Sequence, residues 1–312
     1  MKILLIVLVV LAAALVAAAY ALYCLVFMVR REKTLNARRV PKGEQYAAVR
    51  TRMLQLIDFA AAIPYEPVET KSFDGLTLRA KYYETAPGAP IQIMFHGYRS
   101  AGIRDFCGGL PQAIRDGYNV LLVDQRAHGK SDGKCLTFGV LERRDCLSWI
   151  EYANARFGTK TPITLVGVSM GAATVLMASA LELPLNVTGI IADCGYSSPE
   201  AIIRKVSRDR KCPDRLFFPL VSLGANLFGR FDPRSASAEE ALRHCKIPVL
   251  FLHGEDDRFV PCEMSRINCA ACASEKTLVT FPGAGHALSF LIDEAKYTSA
   301  THNFLEKTNP IR

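Results

Sequence analysis

The stretch of sequence that decides the fold is ITLVGVSMGAATVLM, residues 163–177. Its first six residues are apolar or β-branched, as in a buried strand, and the residues after Gly171 are helix-forming. Between them lies G-V-S-M-G, residues 167–171. A serine in a sharp strand-to-helix turn projects its hydroxyl above the sheet, and the two glycines leave room for that turn. Because the helix N-terminus also points free NH groups here, we predict Ser169 as a nucleophile and the Met170 NH as an oxyanion donor.

Short apolar runs alternate with longer segments of helical spacing on both sides of this turn. The helical segments are residues 140–157 and 172–183, and such alternation predicts a parallel sheet with helices on both faces. Residues 68–84 alternate apolar and polar side chains around Asp74-Gly75, which predicts an antiparallel hairpin. The fold class is therefore α/β. The predicted strands are residues 91–95, 119–123, 163–168, 188–192, 247–252 and 277–281.

One interval, residues 199–244, separates two predicted strands by more than a single crossover helix requires. We predict a helical cap insertion there. Its apolar stretch, residues 216–228, either packs into the core, the interpretation we favour, or roofs the site as a lid.

The N-terminal residues 3–29 form an apolar run with no charged side chain, longer than the ~20 residues that an α-helix needs to cross a bilayer. A cleaved signal peptide is the alternative, since Lys2 precedes the run and small residues occur at 17–21. The run exceeds the ~7 to 15 residues of a cleavable apolar region, so we favour an uncleaved anchor. We divide the chain into a transmembrane anchor, a basic juxtamembrane linker and a catalytic domain containing the cap, at residues 1–29, 30–66 and 67–312 (cap about 199–244).

The positive charge of the chain lies beside this anchor. Residues 1–52 carry nine Lys and Arg against two Glu, which accounts for all but one unit of the net charge of +8. The rest of the chain is close to neutral, so the charge indicates an anionic lipid surface as partner and not a nucleic acid. Six basic residues between 30 and 42 place the catalytic domain on the cytoplasmic side by the positive-inside rule.

The cysteines agree with a reducing compartment, because nine follow the anchor, an odd number without the spacing of a disulfide scaffold. Cys269 and Cys272 form a CxxC pair, but no second pair completes a zinc site. We interpret them as helix packing and expect neither a metal nor a cofactor.

A serine hydroxyl needs a base to accept its proton, and the base needs a carboxylate to orient it. His286 follows the predicted strand 277–281, and Asp257 follows the strand 247–252. The C-terminal ends of parallel strands are where open α/β sheets place their sites. Glu255 and Asp256 are the alternatives to Asp257, and an Asp257→Asn substitution compared with Asp256→Asn separates them.

With these residues in this order, the chain resembles the α/β-hydrolase superfamily, in the branch of bacterial carboxylesterase-like and prolyl-oligopeptidase-like serine hydrolases. The resemblance spans residues 68–305 and implies an α/β-hydrolase fold with Ser169, Asp257 and His286 as its triad. It further implies the Tyr98 NH as the second oxyanion donor. Ala127 departs from the glycine usual in the family. The motifs are His96-Gly97, Asp124-x-Arg126-x-His128-Gly129-x-Ser131-x-Gly133, Gly167-x-Ser169-x-Gly171, His253-Gly254-x-x-Asp257-x-x-Val260-Pro261 and Gly283-x-Gly285-His286.

His96, His128 and His253 each precede a glycine in a turn, and we interpret them as loop-ordering residues and not as the base. The expected activity is hydrolysis of a small-molecule ester or acyl substrate, lipid-like esters included, through an acyl-enzyme. A peptidase or an acyltransferase would use the same triad. A membrane-tethered scaffold with an inactive site is the alternative from another class, and labelling by a fluorophosphonate probe distinguishes it.

Overall fold

The computed structural model describes residues 1–30, 34–41 and 43–309. They form one eight-stranded sheet and the helices and loops around it. Its strand order is β1-β2-β4-β3-β5-β6-β7-β8, with antiparallel pairing of β1 with β2 and of β2 with β4, and parallel pairing elsewhere. This confirms the predicted α/β-hydrolase architecture. The strands are β1 (Glu66–Lys71), β2 (Thr77–Tyr83), β3 (Ile91–Phe95), β4 (Asn119–Asp124), β5 (Ile163–Val168), β6 (Val187–Asp193), β7 (Val249–Gly254) and β8 (Lys276–Phe281).

The central strands are buried along their whole length, as the unbroken apolar runs predict, because helices cover both faces of the sheet. One apolar layer contains Trp149 and Val175, and the layer on the other face contains Leu110 and Leu305. The helices are α1 (Lys2–Phe27), α2 (Glu44–Ala47), α3 (Arg50–Ala62), α4 (Gly102–Asp105), α5 (Gly109–Arg115), α6 (Glu142–Phe157), α7 (Met170–Ala178), α8 (Pro199–Asp209), α9 (Asp214–Gly224), α10 (Ala238–Leu242), α11 (Cys262–Ala271), α12 (Ser289–Ile292) and α13 (Glu294–Thr308).

The hairpin of β1 and β2 is tied to the rest of the sheet by the guanidinium of Arg126. This group pairs with both oxygens of Asp145 on α6 at 2.6 Å and with Asp74 of the hairpin turn at 3.1 Å. Arg126 is buried, so its charge needs both partners. The Asp-x-Arg motif after β4 therefore has a structural role.

The segment between the anchor and β1 contains more structure than the predicted linker. Helices α2 and α3 lie within residues 30–66, and Met53, Ile57 and Ala60 of α3 are buried in the core. These three residues recur at the spacing of one helical face. The basic segment is thus folded onto the catalytic domain over much of its length.

The cap lies between β6 and β7 and consists of α8, α9, a π-helical turn (Ala225–Gly229) and α10. Its apolar stretch serves two purposes: Phe218 and Val221 are buried in the core, whereas Leu216 and Leu227 are exposed. Within the described residues, α1 is the one helix long and apolar enough to cross a membrane. Its last third packs against the cap, with Ala19, Tyr23 and Phe27 buried.

Candidate active site

The serine of the G-x-S-x-G pattern stands in the sharp turn between β5 and α7. Ser169 has φ +56° and ψ −114°, a strained conformation for a residue with a Cβ. The two glycines are required by contact: a Cβ at Gly167 would overlap the backbone of Gly171, and a Cβ at Gly171 would overlap the carbonyl oxygen of Phe95 on β3. The turn is therefore pressed against the neighbouring strand, which fixes the position of the hydroxyl.

The structure brings the three predicted triad residues together. The Oγ of Ser169 lies 3.0 Å from Nε2 of His286, and Nδ1 of His286 lies 2.7 Å from Oδ2 of Asp257. The Asp257 side chain is fully buried and that of His286 is 12 % exposed. This is the geometry in which a base can take the serine proton while a carboxylate orients that base. The catalytic roles of the three residues stay predictions.

The other two candidate carboxylates lie at the surface. Glu255 accepts a hydrogen bond from the Thr280 hydroxyl at 2.6 Å, and both Glu255 and Asp256 are exposed. Asp257 instead accepts hydrogen bonds at 2.8 Å from the backbone NH groups of Phe259 and Val260 through Oδ1, which leaves Oδ2 for His286. The geometry favours Asp257 as the acid.

Burial alone would raise the pKa of the Asp257 carboxyl, but His286 and His253 beside it lower this pKa well below its ordinary value. Nε2 of His253 lies 3.3 Å from the same Oδ2 and 2.8 Å from the carbonyl oxygen of Val260. Asp257 is thus ionised throughout the physiological pH range, as an orienting carboxylate must be.

The two predicted oxyanion donors lie on the turns that flank Ser169. Met170 is the first residue of α7 and Ser169 is the N-cap of that helix, so the Met170 NH is among the N-terminal NH groups that have no partner within the helix. Tyr98 belongs to the loop after β3, which is fixed because the Gly97 NH donates to Asp105 at 2.7 Å and the Ser100 hydroxyl donates to the same carboxylate. We call residues 97–100 the oxyanion loop. The role of Asp105 in ordering it had no sequence signal beyond a carboxylate in a nearby helical segment.

The remaining motif histidines are buried in backbone contacts. His96 accepts from the Gln125 NH at 3.2 Å and His128 from the Arg99 NH at 3.1 Å, and burial lowers the pKa of each, so both are neutral ring acceptors. These contacts agree with loop ordering. Ala127, in the place of the usual glycine, is buried and has φ +66°, the left-handed conformation that glycine adopts without strain.

Two residues beside the triad were missed by sequence reasoning. The Tyr46 hydroxyl of α2 donates to the His286 carbonyl oxygen at 3.1 Å, although Tyr46 lies in the segment taken as a linker. Asp193, at the end of β6, is buried in the same region, and burial raises the pKa of its carboxyl to about 6. An aromatic residue in a basic segment and an acid at a strand end were the signals available.

A cysteine completes a group with the chemistry of a metal site. Within the described residues, Sγ of Cys194, a carboxylate oxygen of Asp257 and a ring nitrogen of His286 lie within 4.8 Å of one another. Zinc accepts all three ligand types. The Asp257 oxygen and a His286 ring nitrogen are hydrogen-bonded to each other at 2.7 Å, and burial raises the pKa of the Cys194 thiol well above its ordinary value, so a metal would have to displace both this hydrogen bond and the thiol proton.

Two cavities meet at Ser169, and Tyr98 and Phe259 line both of them. The first, of about 360 Å³, has apolar walls that include Phe106 and Phe290 but also contains the polar groups of Gln45, Arg104, Asp105 and Asp193, and we call it the mixed cavity. The second, of about 280 Å³, is lined mainly by aliphatic and aromatic side chains, such as Leu25, Val26, Ile202, Val206 and Phe217, and we call it the apolar cavity. A molecule bound at Ser169 would therefore contact polar groups in the first cavity and a mainly apolar wall in the second.

Comparisons with known proteins show which proteins this chain is similar to. The chain is 26% identical to protein YqkD of Bacillus subtilis over 62% of this chain and 64% of that protein. It is 28% identical to the lysophosphatidylserine lipase ABHD12 of Danio rerio over 73% of this chain and 58% of that protein. The chain therefore spans less than two thirds of the length of these two relatives.

Among solved structures, an esterase from Pyrococcus furiosus superposes with a TM-score of 0.62 at 21% identity, over 90% of this chain and 98% of that one. A likeness at this identity concerns the fold. The model of the alpha/beta hydrolase family matches residues 92–300, which run from the second residue of β3 through β8 and include the cap and all three members of the candidate triad. The chain, with its turn at Ser169 and the strand ends that carry Asp257 and His286, therefore belongs to the alpha/beta hydrolase family.

Proposed function

We propose that this protein is a serine hydrolase that cleaves carboxylic esters through an acyl-enzyme. The single observation that carries the proposal is the continuous chain of hydrogen bonds from Ser169 through His286 to Asp257, with steps of 3.0 and 2.7 Å, at the point where the two cavities meet. A nucleophile, a base and an orienting acid in this order are the parts that acyl transfer to serine needs.

The reaction has two steps. In the first, the Ser169 oxygen attacks the ester carbonyl while Nε2 of His286 takes the serine proton, and the NH groups of Met170 and Tyr98 stabilise the negative oxygen of the tetrahedral intermediate. Collapse of this intermediate forms the acyl-enzyme and expels the alcohol, which takes the proton back from His286. In the second, water attacks the acyl-enzyme with the same proton transfers and releases the acid.

The two cavities favour an ester with unlike ends. An apolar chain fits beside Ile202 and Val206, and a polar alcohol fits beside Gln45 and Arg104. The lysophosphatidylserine lipase among the relatives and the esterase among the structural neighbours support the same substrate class. Transfer of the acyl group to an acceptor other than water, or cleavage of a peptide, would use the same first step, and product analysis separates these outcomes.

Labelling with a fluorophosphonate probe tests the proposal. We expect labelling of the full chain and none of the Ser169→Ala variant, because the probe reacts only with an activated serine. Ser179→Ala is the matched control, since Ser179 lies directly after the last residue of α7 and its hydroxyl donates to the Leu176 carbonyl oxygen. Failure of the intact protein to react with the probe and with short-chain p-nitrophenyl esters would overturn the proposal and favour a non-catalytic scaffold.

A further inference from the structure

One wall of the apolar cavity is built by the helix that the sequence assigns to the membrane. Leu25 and Val26, near the end of α1, line this cavity together with Ile202 and Val206 of α8. A tether that only localised the enzyme would not contact the site. A signal peptide, removed after export, could not form part of it.

The end of α1 is also fixed to the oxyanion loop. The Tyr98 hydroxyl donates to the Val26 carbonyl oxygen at 2.9 Å, and the Arg99 guanidinium donates to the carbonyl oxygens of Leu25 and Met28 at 2.8 and 2.7 Å. These carbonyls belong to the end of the helix, where no further helical turn supplies NH partners. The position of α1 relative to Ser169 is therefore determined by specific hydrogen bonds.

The cap holds α1 from the other side. A Cβ at Gly224 of α9 would overlap the carbonyl oxygen of Ala19, so the two helices are in backbone contact. In the next turn of the cap, the Phe228 ring packs edge-on against Tyr20 with centroids 4.9 Å apart. The cap and the last third of α1 thus form one continuous surface.

The length of the free part of α1 determines how deep this surface lies in a membrane. Residues 3–18 are exposed on every side, whereas burial against the domain begins at Ala19. At 1.5 Å per residue, the free part spans about 24 Å, which is shorter than the roughly 30 Å of a bilayer hydrocarbon core. If α1 spans the bilayer, the remaining thickness must be met by the part of α1 that already contacts the cap.

The surface at that depth has the composition of a membrane contact. Leu216 and Leu227 of the cap are 70% and 52% exposed. On the other side of α1 is an open cleft of about 960 Å³, which is lined by α1 and by Arg30, Arg39, Arg99 and Arg104, and which we call the arginine cleft. Apolar side chains beside a cluster of arginines suit the boundary between acyl chains and anionic head groups.

We propose that the end of α1 and the cap lie together in the membrane interface, and that the apolar cavity takes the acyl chain of an ester directly from the bilayer along α1. The proposal rests on the proposed function, since it names the source and chemistry of the ester. The acyl chain passes between α1 and α8 to place its carbonyl at Ser169, while the polar end stays at the level of the arginine cleft.

Fluorescence quenching tests the membrane contact independently of catalysis. The full chain, as Leu227→Trp, is reconstituted in vesicles of phosphatidylcholine and phosphatidylglycerol brominated near the head group. Leu185→Trp is the matched control, because Leu185 is fully exposed and precedes β6, at the end of the sheet opposite Ser169. The one native tryptophan, Trp149, is buried and gives a constant background. We expect strong quenching at position 227 and little at 185.

Activity tests the delivery of the substrate. For each variant, turnover of a long-chain monoacylglycerol held in the vesicle is divided by turnover of soluble p-nitrophenyl butyrate. We expect this ratio to fall about tenfold in Leu227→Asp, since a charge replaces a leucine in the interface. It stays unchanged in Leu185→Asp. Val26→Trp, which reduces the apolar cavity from the side of α1, shifts the preferred acyl chain to shorter lengths.

Equal and weak quenching at positions 227 and 185 would overturn the membrane contact, whether the leucines then face solvent or a second copy of the chain. An unchanged activity ratio in Leu227→Asp together with an unchanged chain preference in Val26→Trp would overturn delivery along α1. Absence of any Ser169-dependent hydrolysis would instead refute the proposed function, because the quenching result does not depend on activity.

Discussion

Two walls of the candidate active site are held by different forces. The wall at the C-terminal ends of the strands consists of strained turns and partly buried hydrogen bonds of 2.7 to 3.0 Å between Ser169, His286 and Asp257. The wall made by α1 and the cap is joined to the oxyanion loop by three hydrogen bonds, but its contacts with the cap and its cavity lining are mainly apolar. Polar geometry fails when one atom is displaced, whereas dispersion is shared among many contacts and changes gradually. Substitutions should therefore abolish function at the first wall and tune it at the second.

The largest effect on kcat is expected at Asp257, the carboxylate of the candidate triad. Asp257→Asn should lower kcat by about 10³ to 10⁴, because an amide cannot stabilise the charged imidazole or hold its reactive tautomer. Asp256→Asn is the matched control and should change kcat by less than about twofold, since its side chain is exposed. Steady-state kinetics on a soluble ester measure both. Equal losses in the two variants would mean that the acid is misassigned.

The backbone of the first wall should tolerate no added atom. Gly171→Ala forces a Cβ onto the Phe95 carbonyl oxygen, so we expect a loss of at least about 3 kcal/mol in the free energy of unfolding. In Gly109→Ala the new Cβ lies 3.6 Å from the Phe106 ring, an ordinary contact, and the change should stay within about 1 kcal/mol. Urea denaturation in detergent measures both, and a stable Gly171→Ala protein would contradict the described turn.

The carboxyl groups of Asp193 and Asp257 should change the stability of the fold with pH in opposite directions. Burial raises the pKa of Asp193 to about 6, above that of an unfolded chain near 4, so its ionisation destabilises the fold as the pH rises from about 4 to 6. Asp193→Asn should therefore stabilise the protein by about 1 to 3 kcal/mol at pH 8 and converge with the native chain near pH 4. The pKa of Asp257 is lowered, so its contribution is lost only below about pH 4.

Melting temperatures of the native chain and of Asp193→Asn across this pH range measure the difference. A constant difference between the two proteins at all pH values would show that Asp193 does not titrate in this window.

The smallest expected effect is at the junction of the two walls. Tyr98→Phe removes one hydrogen bond to α1, worth about 1 kcal/mol, and should lower kcat on long-chain esters about fivefold. Tyr118→Phe loses a comparable bond to the Asn309 carbonyl oxygen, far from the site, and should leave kcat unchanged. If both variants lose only thermal stability, the contact with α1 does not position the oxyanion loop.

The first wall was largely predictable from the sequence because its information is local. Buried strands appear as continuous apolar runs, and the predicted bounds of β3 and β5 match the structure to the residue. The turn at Ser169 is specified by the glycines on either side. The pairing of Asp257 with His286 followed from motif order and strand ends, while the choice against Asp256 needed the observed hydrogen bond.

The second wall was not predictable, because its contacts join segments distant in sequence that are each simply apolar. Nothing in residues 3–29 distinguishes Val26, which faces the active site, from the exposed Val16. The close approach of Gly224 to Ala19 depends on the crossing of two helices, and a glycine in a helix has many explanations. Tyr46 was missed since its partner is a backbone carbonyl, which no side-chain pattern encodes.

The hydrogen bonds from Tyr98 and Arg99 to the end of α1 have a mechanical consequence. A membrane-spanning helix changes its tilt when the bilayer becomes thinner or thicker. If α1 spans the bilayer, its hydrogen bonds to the oxyanion loop would transmit such a change of tilt as a displacement of the loop that carries the Tyr98 NH. The lipid composition around the protein would then change the rate of turnover, because the thickness of the bilayer sets the tilt of α1.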